Sequence, residues 1–325
     1  MFPTGRRIHR NEIRRTVEHL ATRLDDELDA DEFNYTNPRS IDRSTVPDMP
    51  MTATRDGGYV HSSDQQSRRD GWFQAVCGTV TTHDGIIRRF GFVPGIDRAP
   101  RSRIRGALDT QGLRQDQLVT FLTDGADDLA GFCEYMNYTA DYVLDWFHIA
   151  MRFTVLTNTT TNITWTANDE DDVDEVGVDQ DWCTATVADM REQIGRAKWF
   201  LWHGNHRRAL QVLDDATETL HCCDDNTART KSLRMIVELV GYLERNQHRL
   251  PSYAERHLAG EPISSAPAES AVNQVIAKRM VKKQQMRWTP AGAHRLLQIR
   301  TRVLDHQLDN DIRRWHPTEQ PIAAA

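Results

Sequence analysis

An α/β fold, a mixed sheet flanked by helices, is what this chain predicts. Three observations point to it. Between residues 51 and 93 the patterning becomes strand-like, with tight links between successive runs. From 101 to 151 helical and strand-like segments alternate, as in a sheet covered by helices. From 182 to 258 apolar residues recur at helical spacing, so one chain carries the sheet and a large helical block.

The elements follow in order. Residues 7–29 read as a helix, because Ile8, Ile13, Val17, Leu20, Leu24 and Leu28 recur at three- to five-residue steps. Asn37-Pro38, Pro47 and Pro50 break the next stretch, so 1–50 is an N-terminal helix and linker. MTATRDGG (51–58) reads as a short strand ending at Asp56-Gly57-Gly58. WFQAVCGTVTT (72–82) is rich in β-formers, His83-Asp84-Gly85 is a turn, and 86–93 returns as a strand, giving an antiparallel meander. Residues 101–116 read as a helix. LVTFLTDG (118–125) reads as a buried strand with Asp124-Gly125 at its C-terminal end. A helix over 126–136 follows, and 139–147 is a fifth strand running into a helix through Met151, which closes a first core segment of 51–151.

Residues 169–181 hold eight acidic side chains and no basic one, the pattern of a solvated acidic loop. Helical patterning then runs to 258, with breaks at Arg249-Leu250-Pro251 and Gly260-Glu261-Pro262, so 152–262 forms one largely helical region. In the last segment, 263–325, Thr289-Pro290 supplies an N-cap and a proline at N1. The helix it opens is expected to bury Ala293, Leu296, Leu297, Val303 and Leu304.

Composition narrows the function. The chain has 325 residues, and no run approaches the length of an uninterrupted apolar membrane span. The N-terminus has charge but no apolar core of a signal peptide. Five cysteines without a CxxC pair disfavour a zinc ribbon or a disulfide framework, and a reducing cytoplasm fits. Net charge is −7, which argues against a nonspecific nucleic-acid coat. Yet residues 269–316 carry ten basic residues against four acidic ones, a local basic stretch in an acidic protein.

Three acids stand out by position: Asp56 ending the first strand, Asp124 ending the fourth, and Glu269 opening a late helix. Strand ends are where ligand sites form in open sheets. Carboxylates from three separate elements can hold two divalent cations on hard oxygen donors and act on a phosphodiester from several sides. Taken alone, Asp-Gly at a strand end is more often a turn, and an acid at a helix start is often only favourable helix-end electrostatics. Asp145 and His148 form a D-x-x-H pair with two readings: a group near the scissile phosphate, or a packed histidine that orients a helix. Asn273, four residues after Glu269, is expected on the same helical face, to bond the glutamate or DNA, or simply to be a surface or core amide. Lys278, Arg279, Lys282, Lys283 and Arg287 are expected on a helix extending from Glu269, as a phosphate track or a solvated charged face. Trp288 reads as a base-stacking or a core residue, and Trp199 and Trp202 as core.

The strings FLTDGADDL, VLDWFHIAMRF and ESAVNQVIAKRMVKKQQMRWTPAGAHRLLQIRTRVL resemble the DDE transposases of prokaryotic insertion sequences, in particular the Kra-type branch. The resemblance covers residues 10–316. It implies an RNase H-like core, three antiparallel strands plus two parallel ones, with a large, mostly helical insertion before the glutamate-bearing helix. It also implies Asp56, Asp124 and Glu269 as catalytic metal ligands for two Mg²⁺, with Mn²⁺ able to substitute. The activity implied is DNA strand cleavage and strand transfer at element ends. The implied partners are transposon-end and target DNA and a second copy of the chain in a synaptic dimer or larger assembly. The implied location is the cytoplasm, at the nucleoid. Family members carry a zinc element and a helix-turn-helix before this core; neither is visible here, so either a truncated copy or a late choice of start codon is expected. Two other readings stand beside the first: a non-catalytic remnant that binds DNA or partner subunits, and another RNase H-like nuclease.

Overall fold

The structure, a computed structural model, describes residues 9–35, 51–63, 71–113, 117–125, 140–167, 180–281 and 286–317. The expected helix over 126–136, Lys282, Lys283 and most of the acidic stretch 169–181 lie outside the described residues.

The fold is α/β, with a five-stranded mixed sheet, three strands antiparallel and two parallel, flanked by helices. The strands are β1 (Met51–His61), β2 (Trp72–Thr82), β3 (Ile87–Phe92), β4 (Val119–Thr123) and β5 (Ala140–Leu144), in the order β3-β2-β1-β4-β5. Helices α1 (Arg10–Tyr35), α2 (Pro100–Asp109) and α3 (Trp146–Thr160) interleave with them. Helices α4 (Gln180–Trp202), α5 (His206–Cys222), α6 (Thr227–Arg245) and α7 (Tyr253–Leu258) follow. Helix α8 (Ala266–Val272) runs into a π-helix (Asn273–Val281), and α9 (Pro290–Leu304) and α10 (Leu308–Trp315) end the described chain. No helix among the described residues is long and apolar enough to cross a membrane.

The chain divides into two compact units. The first holds α1, β1 to β3, α2, the start of β4, and α8 through α10 with the π-helix between. In its core Val60, Ala75 and Cys77 of the sheet meet Ala271, Val275, Ile276 and Met280 of α8 and the π-helix, and Ala293 and Leu297 of α9. Helix α1 has few buried apolar residues, Ala21 and Leu24 among them, and is fastened by charge instead. Asp25 meets Arg103 at 2.8 Å, Glu18 meets Arg295 at 2.9 Å and Glu27 meets Arg314 at 2.6 Å.

The second unit begins at Leu122, at the end of β4, and resumes at Tyr142 in β5, continuing to Ser265. Its core joins Leu122, Val143 and Leu144 to Ile149 and Phe153 of α3 and to the buried stripes of α4, α5 and α6. The strand ends thus share one hydrophobic cluster with the helical region. Tyr253, fully buried, spends its hydroxyl on the Leu144 carbonyl at 2.7 Å.

Several expected boundaries move, each for a physical reason. Helix α1 runs on to Tyr35, since nothing before Pro38 breaks it. Strand β1 does not end at Asp56-Gly57-Gly58 but pairs with β2 through His61↔Trp72. Helix α2 stops at Asp109, where the amide of Leu113 turns back onto the Leu108 carbonyl at 3.2 Å. Helix α8 starts at Ala266, so Glu269 is its fourth residue rather than its first. Thr289 caps α9 as expected, accepting the Gly292 amide at 3.1 Å. The buried stripe of α9 is partly polar, however: His294, Gln298 and Thr301 are buried, while Leu296 is only half-buried and Val303 is exposed.

Candidate functional site

In the first unit the site begins on β1. The register sets Asp56 opposite Cys77 and Gly58 opposite Ala75, and directly opposed residues share a face of the sheet. Cys77 and Ala75 pack with Ala271, Val275 and Ile276. Asp56 therefore stands on the face covered by α8 and the π-helix. Gly58 shows how closely they approach. A Cβ there would lie 3.3 Å from Cγ2 of Ile276 and 3.5 Å from Cγ1 of Val272. The glycine admits a helix against the strand; it does not turn the chain. The helix that carries Glu269 thus rests on the strand that carries Asp56. Asp56 is half-buried and accepts the Gly57 amide at 2.6 Å. Burial pushes the Cys77 thiol up to about 12; the Asp56 charge adds to this, and Arg89 opposes it. The side chain of Glu269 lies outside the described residues.

Beyond Val272 the helix widens. A π-helix of nine residues is unusual, and such segments concentrate at functional sites. Arg300 of α9 stitches it, donating from Nε to the Val275 carbonyl at 2.9 Å and from its terminal nitrogen to the Gln274 carbonyl at 2.5 Å. Burial, and after it the charge of Arg279, hold the Arg300 guanidinium below the ordinary arginine range. Lys278 and Arg279 are both exposed on this segment. Asn273, expected on the face of Glu269, is exposed and is the first residue of the π-helix. Arg287 is not helical. It precedes Trp288, which forms an isolated parallel bridge with Ser62 and packs against the core of this unit. That placement supports the core reading of Trp288.

In the second unit Asp124 follows the last residue of β4 and is exposed. Gly125 comes next with φ +89°, a left-handed conformation that glycine adopts without strain. A Cβ on it would meet the Asn246 amide nitrogen at 2.9 Å and Cε2 of Tyr242 at 3.0 Å, so the Asp124-Gly125 turn lies directly on α6. Burial raises the Tyr242 hydroxyl pKa; Arg152 opposes this, and the charges of Asp124 and Asp145 add to it.

Asp145 is fully buried. It caps α3 by accepting the Phe147 amide at 2.9 Å, accepts the Ser265 hydroxyl, and donates its own amide to the Thr123 carbonyl at 2.8 Å. Nε2 of His148 lies 3.6 Å from Oδ2, the oxygen that also takes the Ser265 hydroxyl. These contacts support the reading of Asp145 as a cap that orients His148. The pair Trp199 and Trp202 divides: Trp202 packs against Trp146 and Tyr253, whereas Trp199 is about half exposed, correcting its expected place in the core.

The expected triad is therefore distributed. Asp56 and the helix of Glu269 belong to the first unit, and Asp124 belongs to the second, on a strand that neighbours β1 in the sheet order. Among the described residues no group of three His, Cys, Asp or Glu side chains could hold a metal ion, and the Glu269 side chain is not among them. The donor chemistry of Asp56 and Asp124 suits a hard cation such as Mg²⁺. Arg152, seven residues after the cap Asp145, went unnoticed in the sequence, whereas Arg300 counts there only as one of the ten basic residues of 269–316. Arg152 could have been found by extending the D-x-x-H spacing one more turn. No protein-family model matches the chain, and no curated protein matches it.

Proposed function

We propose that the chain is a metal-dependent DNA strand-transfer enzyme of the DDE transposase type, with Asp56, Asp124 and Glu269 as its metal-binding acids. The observation that carries this reading is the close packing, within the first unit, of the Glu269 helix on the Asp56 face of β1. An acid on a strand, with the helix of a second acid packed on its face, is a start on the carboxylate set that such chemistry needs.

Carboxylate oxygens on these three residues would hold Mg²⁺, and bound ions would supply Lewis acidity at the phosphodiester. The chain's own residues do the rest. Asp56 is oriented by the Gly57 amide. The Asp124 turn is fixed by the fit of Gly125 against Asn246 and Tyr242. Lys278 and Arg279, exposed beyond Glu269, offer phosphate contacts. Asp145 holds His148 at the start of α3.

The test is a cleavage and strand-transfer assay with Mg²⁺ or Mn²⁺ on DNA carrying the genomic sequence on either side of the coding region, where the reading expects inverted repeats. Asp56→Asn, Asp124→Asn and Glu269→Gln are each expected to abolish product while DNA binding is kept. Full activity in any one of them overturns the assignment of that acid.

A further inference from the structure

We infer that Arg152, held over the ring of Tyr242 beside the Asp124-Gly125 turn, is a binding site for a DNA backbone phosphate. The inference rests on the proposed function, which makes DNA the ligand. The site itself is built entirely within the second unit.

Four observations carry it. First, the centre of the Arg152 guanidinium lies over the Tyr242 ring, 4.2 Å from its centroid, a cation–π contact. Among the described residues no carboxylate is in ion-pair range of it. The nearest acid in the same groove, Glu238, pairs with Arg234 at 3.7 Å. Second, Arg152 is exposed, so it is accessible to a ligand. Third, Tyr242 is itself buried and touches the turn that bears Asp124, which ties the guanidinium to the candidate acid through one side chain. Fourth, His148 lines the same groove one helical turn away and is partly exposed. The groove therefore presents two potential phosphate donors, one fixed by Tyr242 and the other held by Asp145.

The chemistry favours a phosphodiester. An arginine stacked on an aromatic ring loses little freedom when it takes an oxyanion, and its paired N–H groups match two non-bridging oxygens. Such a contact carries no base information; it positions the strand. Next to Asp124 it would fix the backbone at the point where that acid acts.

The experiment measures binding of the full chain to a mixed-sequence DNA duplex by fluorescence anisotropy, as a function of salt, beside the cleavage assay. Arg152→Gln is expected to weaken binding about fivefold at low salt and to lower the slope of log K against log salt by about one. Tyr242→Phe keeps the ring and is expected to bind as the unaltered chain does. Tyr242→Leu, which frees the guanidinium, is expected to lose part of the affinity. Should Tyr242→Leu fail to fold, Arg152→Lys decides: it keeps the charge and the salt slope but gives up the fork, and cleavage is expected to fall at least tenfold. Unchanged affinity and slope in Arg152→Gln overturn the inference. Tighter loss on RNA than on DNA also overturns it. The two levels separate cleanly. An active Asp124→Asn sinks the proposed function and leaves an Arg152 binding effect standing, while an inactive Asp124→Asn with normal binding by Arg152→Gln sinks the phosphate site alone.

Discussion

Asp305 grips Arg89 twice, accepting its backbone amide at 2.7 Å through one carboxylate oxygen and its guanidinium at 2.6 Å through the other. Arg89 lies on β3, the outer strand of the sheet. Two further groups of α9 continue the contact. Gln298 donates to the Gly91 carbonyl at 2.9 Å, and Nδ1 of His294 accepts the Val93 amide at 3.4 Å. Residues 89, 91 and 93 alternate along the strand, so these are its outward backbone groups. A helix here does what a sixth strand would do. It removes an open edge that could pair with another chain.

Breaking that closure has a defined cost. Asp305→Ala leaves a buried guanidinium and an amide without their acceptor, and loss of one partner of a buried pair costs about 3–5 kcal/mol. We expect a fall of that size in urea denaturation, with a greater tendency to aggregate. Asp305→Asn, which still accepts the amide, is expected to recover part of it. A loss below about 1 kcal/mol would show that the edge tolerates exposure.

Acid should weaken the same side of the first unit. Burial raises the Asp25 carboxyl, but hydrogen bonds from His294 and Arg103 outweigh it and hold the group below its ordinary value. A carboxyl depressed in the folded chain stabilises it above the unfolded value of about 3.9. That stability is lost as pH falls through the lower folded value. The urea midpoint of the unaltered chain should therefore drop between about pH 5 and pH 3, and Asp25→Asn should flatten the drop. Equal slopes in the two proteins would refute this account.

Thiol reactivity offers an independent check on the packing over Asp56. Cys77 is fully buried, with a thiol pushed up to about 12, and Cys183 is fully buried as well. Cys222 is exposed. Alkylation of the native chain near pH 8, mapped by peptide mass spectrometry, should modify Cys222 long before either of the others, because the thiolate is the reactive form. Early labelling of Cys77 would mean that α8 and the π-helix do not cover β1 as described.

The limits of sequence reading follow from where each cause lies. Strand β2 was legible to the residue because its β-formers are contiguous, and the Thr289 cap because its motif is local. Asp56-Gly57-Gly58 misled because glycine has two uses. Here its cause is a helix two hundred residues away, which no local pattern records. The polar stripe of α9 was missed for a similar reason. His294 and Gln298 are buried because they face backbone groups of an edge strand, whereas hydrophobic periodicity assumes an apolar partner. Of the candidate site, the place of Asp124 at the end of a strand could be anticipated from its Asp-Gly turn, but the contact of Arg152 depends on Tyr242, ninety residues later.

The π-helix after Glu269 makes the last prediction. Its wide turns leave the Gln274 and Val275 carbonyls facing Arg300, whose guanidinium satisfies both. Hydrogen bonds to a charged group contribute about 1.5–3 kcal/mol each. Without them the segment should open more often, or tighten to an ordinary α-helix and rotate Lys278 and Arg279. In Arg300→Met, hydrogen exchange across Asn273–Val281 should therefore quicken by about tenfold or more, while α9 itself keeps its protection. Arg300→Lys, a point charge in place of a fork, should lie between the two. If the chain cleaves DNA, the same variant should cut it at least tenfold more slowly, since the segment that follows Glu269 would no longer be held. Unchanged exchange in 273–281 would show that the wide turns arise from the helix's own sequence and not from Arg300.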